Sequence, residues 1–440
     1  MNPANPAMPQ QGSLAERWSG ELEAIQHESS PRWLQALRQN AAGQFRSNGL
    51  PHRKVEAWKY TPMRMLEGFE LAPAAAQESL PAELPLPLCD HAVMIDIVDG
   101  VPAAPPSGLP RGVAVLSLVE GIRRFEDRLR PLFEAVDLRG ATQAFAALNT
   151  VLAEQGLVVH VAAGCDAGRL LLRWAASPRT APLLRHFRLF LLLDEGARLE
   201  LVEQYQGAGT SAAALNVLCQ AELGVGAVLG HTRVQAEPDQ SVLLTSTILE
   251  QAADSRYVYR GFDLGAGLAR HEITVRLEGA GAAADIAGAY VLDGKRHLDN
   301  HVNVEHRAAG CSSEQFFRGV LGGRSRGVFN GRALIQPGAD GSSVRQSNAN
   351  LLLSPLAEID TKPELEIYAD EVEASHGATV GQLDESAVFY LRSRGLSDAA
   401  ARRMLTTAFC HAVTDRVGGR DLAKRIAELL DAAMPAEDKP

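Results

Sequence analysis

The sequence predicts a mainly β protein, with a parallel β-helix core between helical regions at its two ends. Three observations carry this expectation. Short apolar or alternating runs recur from about residue 92 to 370. Their starts often lie roughly 12–16 residues apart, which suits short strands with tight corners. Aromatic residues make up only 5 % of the chain while glycine numbers 39, a balance that fits aliphatic layers and many turns better than a sandwich. Most gaps between the runs are too short for the crossover helices of a doubly wound sheet. A sandwich or a closed barrel remains compatible with this texture. Stacked coils are preferred, because backbone bonds then run from coil to coil around an aliphatic interior.

The elements follow in chain order. Residues 1–12 read as disordered and residues 13–48 as helices. Ser30 and Pro31 supply a cap and a first-turn proline, and Gly49 a stop. Between them Trp33, Leu34, Leu37 and Phe45 form an apolar stripe. Residues 71–88, rich in Ala, Pro and Glu, read as a linker. Strand-like runs then occupy 92–98, 157–161, 170–174, 187–193, 199–205, 215–222, 241–249, 257–262, 271–277, 301–305, 328–335 and 365–368, with one helix expected near 141–155. Three helices close the chain. Asp384 caps the first, which runs through Leu391 and stops at Gly395. The second follows Ser397 and carries Leu405, Phe409 and Val413 on one stripe; the third carries Leu422, Ile426, Leu429 and Leu430. This bundle has a wider apolar face than its own core needs, so it either packs on the end of the solenoid or receives a partner. The expected organisation is a helical region and linker over 1–88, the β-helix over 89–383 and a helical region over 384–440.

Composition excludes several function classes. A net charge of −10 and a pI near 5.7 argue against general nucleic-acid binding, which needs a basic surface. Cys89, Cys165, Cys219, Cys311 and Cys410 are far apart, with no C-x-x-C pair, so neither a disulfide framework nor a local zinc knuckle is expected. The first residues lack a basic and an apolar signal region, and no apolar run is long enough to span a membrane. A cytoplasmic, reduced protein is the expectation.

Common catalytic signatures are missing. The sequence has no phosphate-binding G-x-x-x-x-G-K-[ST], no H-E-x-x-H and no G-x-S-x-G. Its richest local cluster is His297-Leu-Asp-Asn-His301-Val-Asn-Val-Glu305-His306. On a strand, His297, His301, Asn303 and Glu305 share one face and His306 points to the other. Two imidazoles and a carboxylate on one face could bind iron, zinc or manganese, as in a cupin-like metalloenzyme. The plainer alternative is a polar outer face or a ladder between coils. His231 and His271, each alone on an apolar strand, read as structural histidines with satisfied hydrogen bonds.

Four segments near the C-terminal end are more specific. They are Ser325-Arg-Gly-Val-Phe-Asn-Gly331, Gln346-Ser-Asn-Ala-Asn-Leu-Leu-Leu-Ser354, Ile359-Asp-Thr-Lys-Pro-Glu-Leu-Glu-Ile-Tyr-Ala-Asp370 and Ser375-His-Gly-Ala-Thr-Val-Gly-Gln-Leu-Asp384. Together they closely resemble the SufD proteins of the SUF iron–sulfur cluster assembly system, continuously from about Phe316 to Gly395. Near the N-terminus Glu56-Ala-Trp-Lys-Tyr-Thr61 is similar to an E-x-W-K-Y-T shared by SufB and SufD relatives. The Ser-His-Gly-Ala-Thr segment, the shorter chain and the lack of a cysteine-rich segment favour SufD over SufB.

The resemblance implies a right-handed parallel β-helix between helical regions and a non-catalytic scaffold. It implies pairing with a SufB-like subunit and docking of a SufC-like ABC-type ATPase through residues 384–440. A transient iron–sulfur cluster would form at the SufB interface, and the SufD role includes iron acquisition. Reduced flavin has been linked to such complexes, although no flavin motif stands in this sequence; the isolated chain is expected to hold no cofactor tightly. A homodimer in isolation is compatible with all of this. The family's interface histidine falls on His376, a candidate ligand of iron or of the nascent cluster. Many SufD sequences carry a cysteine two residues earlier, where this chain has Ala374, so either that thiol is dispensable or cluster ligation leans on SufB cysteines together with His376. Asp370, Glu371 and Glu373 are either auxiliary oxygen ligands or a solvated acidic face. A β-helix enzyme acting on carbohydrate would need a groove of paired acids and aromatics, which the low aromatic content disfavours.

Overall fold

A computed structural model describes residues 13–23, 30–71, 84–104, 106, 108–176, 182–207 and 213–435. The stretch read as disordered, 1–12, and most of the linker, 72–83, lie outside the described residues.

The core is a parallel β-solenoid made of two sheets, each of ten strands. Successive coils contribute one strand to each sheet. One sheet runs through Gln155–Val161, Leu183–Leu193, Ala214–Leu223, Val242–Gln251, Leu268–Leu277, His297–His306, Arg326–Ile335 and Glu358–Ile367. The other runs through Val93–Val98, Asp166–Ala175, Arg198–Tyr205, Val228–Gln235, Arg256–Asp263, Ala283–Leu292, Ser312–Leu321, Ser343–Leu352 and Glu373–Gly381. Pairing along both series is parallel and in register, as in Ala214 with Val242 with Leu268. The departures lie in the N-terminal coils: Val113–Ser117 and Val101–Pro102 pair antiparallel to their neighbours, and the register of Asp166–Ala175 on Arg198–Tyr205 shifts between Asp166 and Arg169. The stacked-coil reading holds, and the sandwich and barrel alternatives fall.

Two features of the sequence set this arrangement. Alternation sends every second side chain inward. In Leu268–Leu277 the inward set is Ala269, His271, Ile273, Val275 and Leu277, all buried, while Glu272, Thr274 and Arg276 face out half-exposed. Aliphatic layers such as Leu189, Leu191 and Leu193 are fully buried, and each such leucine contributes about 1.5–3 kcal/mol. The second feature is a repeated corner. Gly164, Gly196, Gly226, Asp254, Gly281, Gly310 and Gly341 stack one above another, the N–H of one corner bonding to the carbonyl at the next coil's corner. All have φ between 55 and 75°, where glycine avoids the Cβ clash; Asp254 (φ 57) is the one non-glycine among these seven, and Glu371 (φ 53) takes the corresponding place in the last coil.

Eight helices decorate the described solenoid. Helices α1 (Leu14–Glu23) and α2 (Arg32–Asn48) match the N-terminal expectation, with Pro31 rather than Ser30 in the capping position. Helices α3 (Leu118–Arg124) and α4 (Glu126–Glu134) were not foreseen, although Ser117 and Glu120 form a complete capping box. Helix α5 (Ala144–Leu152) lies where one was expected. Helices α6 (Glu385–Ser393) and α7 (Asp398–Thr414) start at the caps read from sequence: Asp384 accepts from the Ser386 N–H and Ser397 from the Ala400 N–H; α8 (Arg420–Ala433) follows Gly419 without a side-chain cap. The last two do not sit on the end of the solenoid. Cys410, Val413, Leu422, Ile426 and Leu430 pack against Val202, Val234, Phe262, Ala287 and Val320 on the outer flank of the second sheet.

His231 and His271 are core residues with partners, as expected. His231 Nε2 lies 2.8 Å from Glu203, and His271 Nε2 lies 3.0 Å from Asp263. Burial alone would raise the Asp263 carboxyl, but Arg233 and His271 outweigh it and pull it down to about 2. Two other histidines are buried away from carboxylates. Burial lowers His186 to about 3 and His306 to about 4. Both folded values lie below the unfolded value near 6.5. As pH falls below about 6.5 the unfolded chain therefore takes up protons that the native chain refuses, and stability is lost at roughly 1.4 kcal/mol per pH unit for each histidine down to its folded value. Urea unfolding should show a lower midpoint at pH 5 than at pH 7.5, with part of the loss removed by His186→Gln. A midpoint unchanged across this range would contradict the assignment of neutral buried imidazoles.

Candidate functional site

The solenoid ends openly at its C-terminal coil. Among the described residues no further strand covers Glu373–Gly381, and all nine of its residues are exposed. Its partner in the final coil, Glu358–Ile367, is half-buried to exposed. An uncovered strand edge presents unpaired N–H and C=O groups ready to accept another chain. Glu373–Gly381 carries Ala374, Gly377, Ala378 and Gly381, small residues that let a second backbone approach.

His376 stands in the middle of this edge strand. It pairs in register with Gln346, which pairs in turn with Gln315. Following the register downward gives Ile286, Tyr259, His231 and Leu201, a column facing the solenoid interior. His376 belongs to that inward face, yet it is exposed because no coil closes over it. Ala374, two residues earlier, shares the face, so a side chain at that position would stand beside the imidazole. Asp370, Glu371 and Glu373 are exposed at the turn entering the strand. Glu371 adopts φ 53, which sets the sharp change of direction there.

The His297–His306 strand lies on the other sheet. Alternation holds as expected: His297, His301, Asn303 and Glu305 face outward, and His306 is buried inward. What sequence reasoning missed is Asp299, on the same outward face and buried. Arg270 pairs with Asp299, with Glu272 at 2.5 Å, and stacks 3.8 Å over the Trp58 ring. His301 Nε2 lies 2.9 Å from Asp299 and 3.2 Å from Arg270. Thr61 donates its hydroxyl to Asp299 and lies 3.2 Å from His297 Nε2. Burial would raise the Asp299 carboxyl, but Arg270, His301 and Thr61 hold it well below the usual carboxylate range. Burial lowers His297 to about 4. Glu305 is taken by Arg307 at 2.6 Å.

The two sequence motifs thus meet. The Glu56–Thr61 segment is the lid under which the His297–His301 face is buried, with Lys362 of the last coil 3.0 Å from Glu56. Each candidate ligand in this cluster already has a protein partner. Among the described residues no group of three or more His, Cys, Asp and Glu side chains is arranged to hold a metal. The barrel that a cupin-like enzyme requires is replaced by an open-ended solenoid. The structure does not bring His376 together with His297, His301 and Glu305: they belong to different sheets, one at the open edge, the others beneath the N-terminal segment.

A second exposed feature lies on the C-terminal helices. Phe389 and Tyr390 of α6 are 73 % and 56 % exposed, and Met404 of α7 is 51 % exposed. Arg402 of α7 ties α6 in place through a two-pronged contact with Glu385, 2.9 Å for each prong, and a 2.8 Å contact with Asp398. No helix of the described residues is long and apolar enough to cross a membrane.

Comparison with known proteins gives two family matches. Residues 179–409 match the family described as "SUF system FeS cluster assembly, SufBD core domain", and residues 9–77 match the "SufBD protein N-terminal region". The chain is 28 % identical over 433 residues to the iron–sulfur cluster assembly protein SufD of Escherichia coli, covering 97 % of this chain and 98 % of that protein. It is 28 % identical over 409 residues to an iron–sulfur cluster assembly SufBD family protein of Synechocystis, covering 89 % of each. It is 26 % identical over 421 residues to the chloroplastic protein ABCI7 of Arabidopsis thaliana, covering 93 % of this chain and 87 % of that one.

Proposed function

The chain belongs to the SufBD family of the SUF iron–sulfur cluster assembly system, and from that membership we propose that it is a SufD-type scaffold subunit with no catalytic site of its own. Its open coil receives a homologous SufB-like subunit, and its C-terminal helical region, residues 384–440, receives an ABC-type ATPase of the SufC kind. The observation that carries this reading is the bare edge strand Glu373–Gly381 with His376 at its centre. Its length, exposure and small side chains suit the addition of a partner strand by backbone hydrogen bonds. The same edge is open to a second copy of the isolated chain, which is compatible with a homodimer.

At this seam His376 supplies an imidazole to ferrous iron or to one iron of the nascent cluster. Alanine at 374 offers no donor, so thiolate ligands come from the SufB-like side. Asp370, Glu371 and Glu373 attract the incoming cation electrostatically from a solvated face. The cluster is cargo: it forms at the interface and leaves. Reduced flavin, where a complex uses it, is held without any residue assigned on this chain. The working compartment is the cytoplasm.

Reconstitution tests the reading. Co-expression with a SufB-like subunit and a SufC-like ATPase should yield a stable three-component complex that builds a cluster from ferrous iron and a sulfur donor. A chain that purifies alone under these conditions would overturn it.

A further inference from the structure

Gln346 lies in strand Ser343–Leu352, one coil beneath His376 and paired with it in register. Register partners in a parallel sheet share a face and stand one strand spacing apart, about 4.8 Å. Gln346 is only 5 % exposed, yet neither its amide oxygen nor its amide nitrogen has a hydrogen-bond partner. The residue beneath does not supply one. Gln315 gives its N–H to the Arg332 carbonyl at 3.2 Å and leaves its own oxygen without a partner. The next polar column is occupied with itself: Asn350 donates to Asn348 at 2.7 Å, Thr361 donates to Asn348 at 2.8 Å, and Tyr290 donates to Asn350. A buried amide left bare is costly, and such exceptions call for a specific explanation. The group directly above, on the same face, is the His376 imidazole.

A histidine that ligates a metal through one ring nitrogen nearly always donates the N–H of the other to an acceptor, which fixes its tautomer and ring orientation. We propose that the Gln346 carboxamide oxygen accepts that N–H from His376, making Gln346 the positioning residue of the seam. The imidazole is thereby held in one tautomer with its free lone pair turned outward toward the partner. This inference rests on the reading of His376 as an iron ligand, but the contact itself can be measured without iron or partner.

The experiment uses the full chain labelled with nitrogen-15 histidine. The His376 ring nitrogens should report one dominant tautomer in the wild type and a solvent-like mixture in Gln346→Leu. Gln346→Glu, which keeps an acceptor, should retain the single tautomer. The leucine variant should melt no lower than the wild type, because an apolar group of similar size leaves no buried polar atom unpaired and the exposed imidazole can turn to water; Gln346→Met serves if leucine disturbs the fold. In the reconstituted complex Gln346→Leu should form cluster about tenfold more slowly, as expected for loss of an outer partner of a metal ligand, and Gln346→Glu should stay near wild type. Ring resonances of His376 indifferent to Gln346→Leu would overturn the inference, even with His376→Ala inactive, which would leave the ligand reading standing. A tautomer lost in Gln346→Leu without any change in assembly would uphold the contact and overturn its role at the iron.

Discussion

Replacing His376 by alanine should leave the solenoid folded and reduce cluster formation by the reconstituted complex by at least tenfold. The two halves of this expectation have separate physical grounds. His376 lies on an edge strand whose nine residues are all exposed, and the one contact assigned to its imidazole within this chain is that with Gln346. Surface substitutions of this kind usually shift stability by no more than about 0.5 kcal/mol. The loss of assembly follows from chemistry. Alanine at 374 leaves this chain with no thiolate at the seam, so removing the imidazole removes its one nitrogen donor on that strand. Losing even an outer partner of a metal ligand commonly costs 10–100-fold in metal affinity or activity, and losing the ligand itself should cost no less. Unchanged cluster assembly with the alanine variant in the complex would reject His376 as a ligand. By the same measure His297→Ala should matter less for iron, because His297 is buried under the Glu56–Thr61 segment; a complete loss of iron delivery in that variant alone would reverse the ranking of the two sites.

The second large effect is expected on α6. Phe389→Asp should lower affinity for the SufC-like ATPase by about 2 kcal/mol or more, roughly 30-fold, without changing the melting temperature of the free chain. Phe389 is a large aromatic side chain left 73 % exposed beside Tyr390, on a helix anchored to α7 by the Arg402–Glu385 contact. Exposed aromatics of this kind are the anchors that fill pockets in partner proteins. Deleting 384–440 would be a poorer test, because it would also strip Val413, Leu422, Ile426 and Leu430 from the sheet flank they cover. That deletion would destabilise the core and confound docking with folding. Wild-type affinity in the Phe389→Asp variant would move the docking site elsewhere.

Much of the fold was legible from residues. The aliphatic run at 187–193 falls within Leu183–Leu193, that at 241–249 matches Val242–Gln251 but for its first residue, and the caps Asp384 and Ser397 begin their helices as expected. Strands such as Ala283–Leu292 and Ser343–Leu352 escaped the pattern for a physical reason. Their inward positions hold Gly288, Tyr290, Gln346, Asn348 and Asn350, so the alternation of apolar and polar residues is lost while the backbone ladder persists. The placement of the terminal helices could not be read either, since a wide apolar face does not say which surface it meets.

The candidate sites were legible in part. Alternation correctly put His297, His301 and Glu305 on one face, but it could not show that Thr61, more than two hundred residues earlier, donates to Asp299 on that face. Nor could it show that Arg270 and Arg307 engage His301 and Glu305. Such partners come from long-range packing, which leaves no local signal. His376 emerged through a family resemblance, and its exposure follows from something the sequence does not announce: the coil that carries it is the last.

Amide hydrogen exchange tests the central claim most directly. In the free chain, exchange along Glu373–Gly381 should be fast on the N–H groups that face away from Ser343–Leu352, and adding a SufB-like subunit should slow those amides strongly while leaving interior strands such as Leu268–Leu277 as they were. Amides on that edge exchanging at the same rate in the assembled complex would contradict the account.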